Sequence, residues 1–359
     1  MKNLEFPIIG TKTKGLAQKF DINSPAGRKK YFQAKVGTEI SQIKKYLRRG
    51  NTFVAYMLGK KNSGKGTYTK IITEIFGEDK IAHISVGDLI RGIDNWEAFT
   101  KTKRYERAKK YYRGYISWDE AVDAHLGRSQ TKLLPDEFIL ALLKAYIDDM
   151  PGKCLFIDGL PRNLDQVSYS LFFRDLINYR EDPDIFVLID IPESVIAERI
   201  KYRVVCPICQ TSRSTKLLIT SKIDYDQKSK KFYLLCDNPD CKGNGTARMV
   251  GKQGDEMGLG PIRDRLNSDE ELLRKAFSLY GVPKILLRNH VPVTEVKKKF
   301  DGYEITPEYV LNWNVKSSKV EVTEKPWSIK DDNGTECNSL LAAPVVAAFI
   351  KQLPEALEL

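Results

Sequence analysis

Long hydrophobic runs are missing from this 359-residue chain. None approaches the roughly 18 consecutive apolar residues of a membrane-crossing helix, so no partnership with a membrane is expected. A secretory leader is not expected either. Residues 1–10 hold one Lys and a short apolar stretch, and a cytoplasmic location is expected. Internal repeats and low-complexity tracts are absent, which sets aside solenoids and compositionally disordered chains. Cysteine is sparse: six in the chain, four of them between Cys206 and Cys241. In a cytosolic chain such close pairs read as metal ligands before disulfides. Acidic residues are scarce in residues 1–52, where three Asp/Glu face twelve Lys/Arg, +9 of the chain's total +11. This basic stretch offers a surface to RNA, an acidic partner or anionic lipid, or is a solvated helix face.

What is present is an ordinary globular balance, 42% hydrophobic and 29% charged. Apolar spacing predicts a helix over 28–49 that Gly50 and Asn51 stop. Short apolar runs predict buried strands at 53–58, 81–84, 154–157 and 185–189. Helical patterns fall between them, at about 65–76, across 88–150, at 164–179 and at 193–203. Strand and helix in alternation predict an α/β fold, a parallel sheet covered on both faces. Residues 204–250 interrupt the pattern as a small β insertion. Helix resumes over about 261–280, a hairpin is expected at 309–322, and a last helix at 344–357.

Between the first strand and its helix lies Gly59-Lys-Lys-Asn62-Ser63-Gly64-Lys65-Gly66-Thr67. Glycines let a backbone wrap a polyphosphate, its N–H groups turn inward, and the helix N-terminus and Lys65 add positive potential. The usual Ser or Thr directly after the Lys is replaced by Gly66, with Thr67 next.

The Gly-Lys-Gly-Thr form of this turn resembles adenylate kinases and related nucleoside monophosphate (NMP) kinases. Further segments follow in that family's order: His83-Ile-Ser-Val86-Gly-Asp-Leu-Ile-Arg91, Lys132-Leu-Leu134-Pro-Asp-Glu137, Asp158-Gly159-Leu-Pro-Arg162-Asn with Gln166, Arg199-Ile-Lys-Tyr-Arg203, and Arg263-Asp-Arg265-Leu. The matches cover about residues 53–280. The resemblance implies a P-loop core with a three-layer, parallel-sheet build (53–87, 151–203 and 251–300), an inserted helical NMP-binding domain (88–150) and a β lid (204–250). A basic N-terminal extension (1–52) and a C-terminal extension (301–359) flank them. Deleting residues 1–40 is expected to leave the chemistry largely intact.

By the same resemblance the reaction is phosphoryl transfer from ATP, with Mg²⁺, to a nucleoside monophosphate. Lys65, Arg162, Arg199, Arg203 and Arg265 would carry the catalytic charge, and Asp158 would orient the magnesium through water. Gly59, Asn62, Ser63, Gly64, Lys65, Gly66, Thr67 and Arg199 would hold ATP. Val86, Arg91, Leu134, Gly159, Arg162, Gln166 and Arg263 would line the monophosphate side. Gln166 stands where adenylate kinases read adenine, so AMP is the expected acceptor. A UMP/CMP kinase, which an Asn in that place would suggest, or a kinase for another NMP is the alternative, and Val86 in place of a common Thr removes one hydroxyl near the base. The family's lid-closing Arg is missing ahead of Asp255-Glu256. A monomer is expected.

Cys206-x2-Cys209 and Cys236-x4-Cys241 supply four thiolates, a set suited to tetrahedral Zn²⁺ with no open position, hence a structural site. A second class of function stays open from sequence: a P-loop protein that binds nucleic acid through the cysteine module and the basic stretch. Steep loss of affinity with salt would mark it.

Overall fold

The computed structural model describes residues 2, 4–16, 18–127, 135–168, 171–177 and 179–359. The chain divides into two compact units. A sheet unit comprises Phe20–Ile189, Asn267–Leu287 and Val345–Leu359; a cysteine unit comprises Met1–Lys19, Asp190–Leu266 and Arg288–Pro344. Among the described residues no helix is long and apolar enough to cross a membrane.

The first helix, α1 (Pro25–Arg48), starts where the Ser24 hydroxyl accepts from the Gly27 N–H. It is followed by β1 (Val54–Gly59), α2 (Lys65–Phe76), β2 (Ile81–Ser85), β3 (Cys154–Asp158) and β4 (Asp184–Asp190). Then come α3 (Glu193–Lys201), α4 (Arg263–Ser278), β5 (Lys284–Arg288) and α5 (Ala342–Ala356). The sheet runs β5-β4-β1-β3-β2, with β1 parallel to β3 and β4, and β2 parallel to β3. Every residue of β4 is buried, as is β1 from Val54 to Leu58. Such strands read as continuous apolar runs because helices cover both faces. Between β2 and β3 the helices Val86–Gly92, Trp96–Thr100, Lys103–Tyr111, Trp118–His125 and Asp136–Ile147 form the helical insertion.

β5 was not expected as a strand. Its five residues carry Lys284 and Arg288 at their ends, and only the pairing beside β4 makes them part of the sheet. Its outer edge is covered: the Gln352 amide of α5 accepts from the Leu286 N–H at 3.1 Å and donates to the Leu286 carbonyl at 3.0 Å. A side-chain amide thus satisfies the backbone pair that an unprotected edge would offer to another chain.

Within residues 1–40, the part from Phe20 onward is packed into the sheet unit. α1 buries Tyr31, Phe32, Val36, Ile40, Ile43 and Leu47, and Tyr31 meets Phe20 and Phe32 edge-to-face at 6.0 and 5.2 Å. Arg28 bonds Glu74 on α2. Tyr31→Ala is expected to cost about 3 kcal/mol or more, read by denaturant unfolding. A loss under about 0.5 kcal/mol would show that α1 is not part of the cooperative core.

In the cysteine unit, α3 leads into a three-stranded sheet of Ser212–Ser214, Arg203–Val205 and Val250–Gly251, with a hairpin of Ile223–Asp226 and Lys231–Leu234. Glu308–Asn314 and Lys319–Lys325 form the expected tail hairpin. It lies on the inserted module: Trp313 stacks on Tyr225 with centroids 4.8 Å apart, and the Tyr309 N–H donates to the Lys216 carbonyl at 2.8 Å. Lys216 also pairs with Glu198 on α3 at 2.8 Å and Glu308 at 3.8 Å.

Candidate active site

In the sheet unit, β1 delivers Gly59 and α2 begins at Lys65, so the glycine-rich turn spans the gap between a central strand and a helix N-terminus. Gly64 adopts φ +103°, and a Cβ there would stand 2.9 Å from the Tyr68 ring, so only glycine fits. The Ser63 N–H donates to the Lys60 carbonyl at 3.0 Å, while the buried Ser63 hydroxyl has no hydrogen-bond partner. Lys65 Nζ donates to the carbonyls of Gly59 at 2.7 Å and Lys60 at 3.3 Å, and lies 3.7 Å from Asp158 Oδ1. Asp158 ends β3 in register with Met57 of β1, at the carboxyl ends of the strands where open α/β sheets receive ligands.

Gly159 follows at φ +89°, its missing Cβ 3.5 Å from the fully buried Val86. Arg162 Nε donates to the Gly159 carbonyl at 3.0 Å. The Gln166 side chain is 1% exposed; its Oε1 accepts from the Arg162 N–H, and its Nε2 has no hydrogen-bond partner. Arg91 is exposed and bonds Asp88, which holds the Asp88 carboxyl below the usual carboxylate range. Leu134 lies outside the described residues.

Sequence reasoning missed what holds the turn from α4. Lys60 is 1% exposed, and its ammonium pairs with Glu270 Oε2 at 2.8 Å; the next N–H, of Lys61, donates to Asp269 Oδ2 at 2.8 Å. Arg274 also bonds Glu270 at 2.7 Å. No motif carries these two acids, and only the fold brings them to the turn. Burial raises the Glu270 carboxyl, but bonds from Lys60 and Arg274 outweigh it and leave it lowered from its ordinary 4.5. Its stabilising contribution is therefore present above that value and lost as pH falls through the lowered one. Melting temperatures of wild type and Glu270→Gln should differ at neutral pH and converge in acid; a constant gap between about pH 6 and pH 3 would contradict this.

The remaining basic candidates lie in the cysteine unit. On α3, Arg199 donates to Asn289 Oδ1 at 3.3 Å. Arg203 forks onto Asp255, with Nε 2.6 Å from Oδ2. Arg263 pairs with Glu193, and Arg265 is exposed. Asp255, seen in the sequence only as half of an acidic pair, is thus the partner of Arg203.

The four cysteines converge, with Cys206 and Cys241 sulfurs 3.9 Å apart and Cys209 and Cys236 sulfurs 3.7 Å apart. None is in a disulfide. Sulfurs on a tetrahedron of 2.3 Å zinc bonds stand about 3.8 Å apart, so the donor set fits zinc. Hydrogen bonding to Thr211 pulls the Cys209 thiol down to about 5, whereas burial pushes Cys236 up to about 12, so the fit to zinc rests on the sulfur geometry. Around the cysteines the module's core is small: Leu234 and Met249 are buried, with Val204, Ile219, Ile223 and Ala247 partly buried against them. A second convergence, His290 with Asp331 and Cys337, differs. There Arg288 Nε donates to His290 Nε2 at 3.2 Å, placing a guanidinium where a cation would sit, and burial drives the imidazole down to about 3.

No family model matches the chain. Among curated proteins it is similar to an adenylate kinase of Hydrogenobaculum sp. (strain Y04AAS1), 29% identical over 186 residues, 52% of this chain and 71% of the relative. An adenylate kinase of Thermotoga neapolitana is 29% identical over 238 residues, 66% of this chain and 89% of the relative. A mitochondrial GTP:AMP phosphotransferase of Drosophila melanogaster is 28% identical over 151 residues, 42% of this chain and 56% of the relative.

Proposed function

This chain belongs to the adenylate kinase and nucleoside monophosphate kinase family, and from that premise we propose that it transfers the γ-phosphoryl group of ATP to AMP, giving two ADP. One observation carries the reading: a glycine turn at the end of β1 sets Lys65 beside Asp158, and the next turn at that sheet edge bears Arg162 and Gln166.

Phosphoryl transfer needs positioning, charge neutralisation and exclusion of water more than covalent help. The turn's N–H groups and Lys65 would bind the ATP phosphates, with Lys65 exchanging its bonds to the Gly59 and Lys60 carbonyls for phosphate oxygens. The Ser63 hydroxyl adds a buried donor at the same turn. Arg91 and Arg162 would hold the acceptor phosphate, Arg91 leaving Asp88 to do so. By the family resemblance, Arg199, Arg203 and Arg265 would neutralise the transferring group; Arg263 sits two residues from Arg265 with Glu193 as its partner. No strong general base is required, because the acceptor is already a phosphate oxygen. Magnesium, when bound with ATP, supplies charge at the phosphate oxygens, and Asp158 is the carboxylate that would hold it. The four cysteines would hold a structural zinc.

AMP is favoured by Gln166. Its amide is buried, its nitrogen has no hydrogen-bond partner among the described residues, and its oxygen keeps a second lone pair. That is a donor beside an acceptor, which adenine's N1 and 6-amino edge complements. A coupled assay supplying ATP with AMP, CMP, UMP, dTMP or GMP in turn tests the proposal. ADP formation fastest with AMP is expected. Faster turnover with UMP or CMP would reassign the acceptor, and no turnover with any would remove the kinase reading.

A further inference from the structure

We propose that Asp269 and Glu270, adjacent on α4, are positioning residues for the phosphate turn, gripping it from below so that its remaining N–H groups and Lys65 are aligned before nucleotide arrives. The inference rests on the turn being the ATP site.

The grip acts on two consecutive residues by two different bonds. Glu270 takes the Lys60 ammonium and Asp269 takes the Lys61 N–H. Lys60 is the residue through which the turn is organised: its carbonyl accepts from the Ser63 N–H at 3.0 Å and from Lys65 Nζ at 3.3 Å. Fixing Lys60 therefore fixes an acceptor of the catalytic lysine. A lysine 1% exposed is costly unless its charge is matched. With Glu270 neutralised, the buried ammonium loses its matched charge, and the hold of α4 on the turn weakens. The Lys61 N–H is committed to Asp269, so it orients the turn and is not among the donors left for phosphate. Two carboxylates beside a polyphosphate site would ordinarily repel the ligand. Here Glu270 is shared between Lys60 and Arg274, and Asp269 is bonded to an N–H dipole. Preorganisation of this kind lowers the ordering cost of binding.

The test uses the full-length protein with Asp269→Ala, Asp269→Asn and Glu270→Gln. Nucleotide affinity is measured by direct titration with MgATP, and kcat and both KM values by the coupled assay, alongside thermal melting. Asp269→Ala is expected to weaken ATP binding and raise the ATP KM about tenfold, leaving the monophosphate KM unchanged. Asp269→Asn should recover most of the loss, because its amide oxygen still accepts the Lys61 N–H. Glu270→Gln should raise the ATP KM and lower kcat together. A purely structural role would lower melting and leave the ATP constants of the folded protein where they were. The inference is overturned if Asp269→Ala binds MgATP like wild type, or if Asp269→Asn is as impaired as the alanine. Should Asp269→Ala fail to fold, Glu270→Gln decides by the same ATP titration. Wild type that binds MgATP but phosphorylates no nucleotide would refute the kinase reading and leave the grip still measurable. Wild type that binds no MgATP refutes both.

Discussion

Lys65→Ala is expected to slow phosphoryl transfer about a thousandfold while melting within about 1 kcal/mol of wild type. Its side chain is 13% exposed, and its contacts are two carbonyls and a carboxylate 3.7 Å away. Those are weak contributors to folding, whereas a fixed cation at the transferring group acts where negative charge concentrates. Steady-state rates with ATP and AMP, together with a melting curve, check both halves. Activity within tenfold of wild type would mean that this lysine does not touch the phosphates. A collapse in melting would mean that it serves the fold instead.

Cys206→Ser should be the most damaging change in the cysteine unit. Structural zinc is worth about 10–16 kcal/mol of apparent binding at neutral pH, and in small modules that is folding free energy. The module around Leu234 and Met249 has little apolar core to replace it. Metal analysis should find about one zinc per wild-type chain and much less in the variant, and chelator should melt the wild-type module without unfolding the sheet unit. A wild-type protein that is zinc-free, with a module indifferent to chelator, would contradict the assignment.

The chemistry-bearing part of this fold is written locally, and so it was legible. Gly59 to Thr67 announces its own turn, because the residue types that make the backbone bend are those that receive phosphate. The spacing of Cys206, Cys209, Cys236 and Cys241 singles them out as a cluster that the fold brings together, and four of the five sheet strands stand out as apolar runs between helices. What stayed hidden depends on partners distant in the chain. β5 is a strand only because β4 lies beside it. Asp269 and Glu270 look like two solvated helix acids until α4 is laid under Lys60 and Lys61, more than two hundred residues away. Tyr31 and Phe32 were visible as a helix stripe, but charge in the same segment drew attention to its wet face and away from its dry one. Gln352 could not be guessed, since an edge-sealing amide has no signature of its own.

The tail hairpin has one more effect, in thermodynamic linkage. Trp313 lies flat on Tyr225, and the Tyr309 N–H and Glu308 both meet Lys216. Order in either partner therefore raises the probability of order in the other, and by reciprocity the factor is the same in both directions. An ion held by the four cysteines would therefore also seat residues 308–325, and a substitution that frees the indole would be felt as a weaker ion affinity without any ligand being altered. With only four tryptophans in the chain, the emission of this one is a built-in gauge of that coupling.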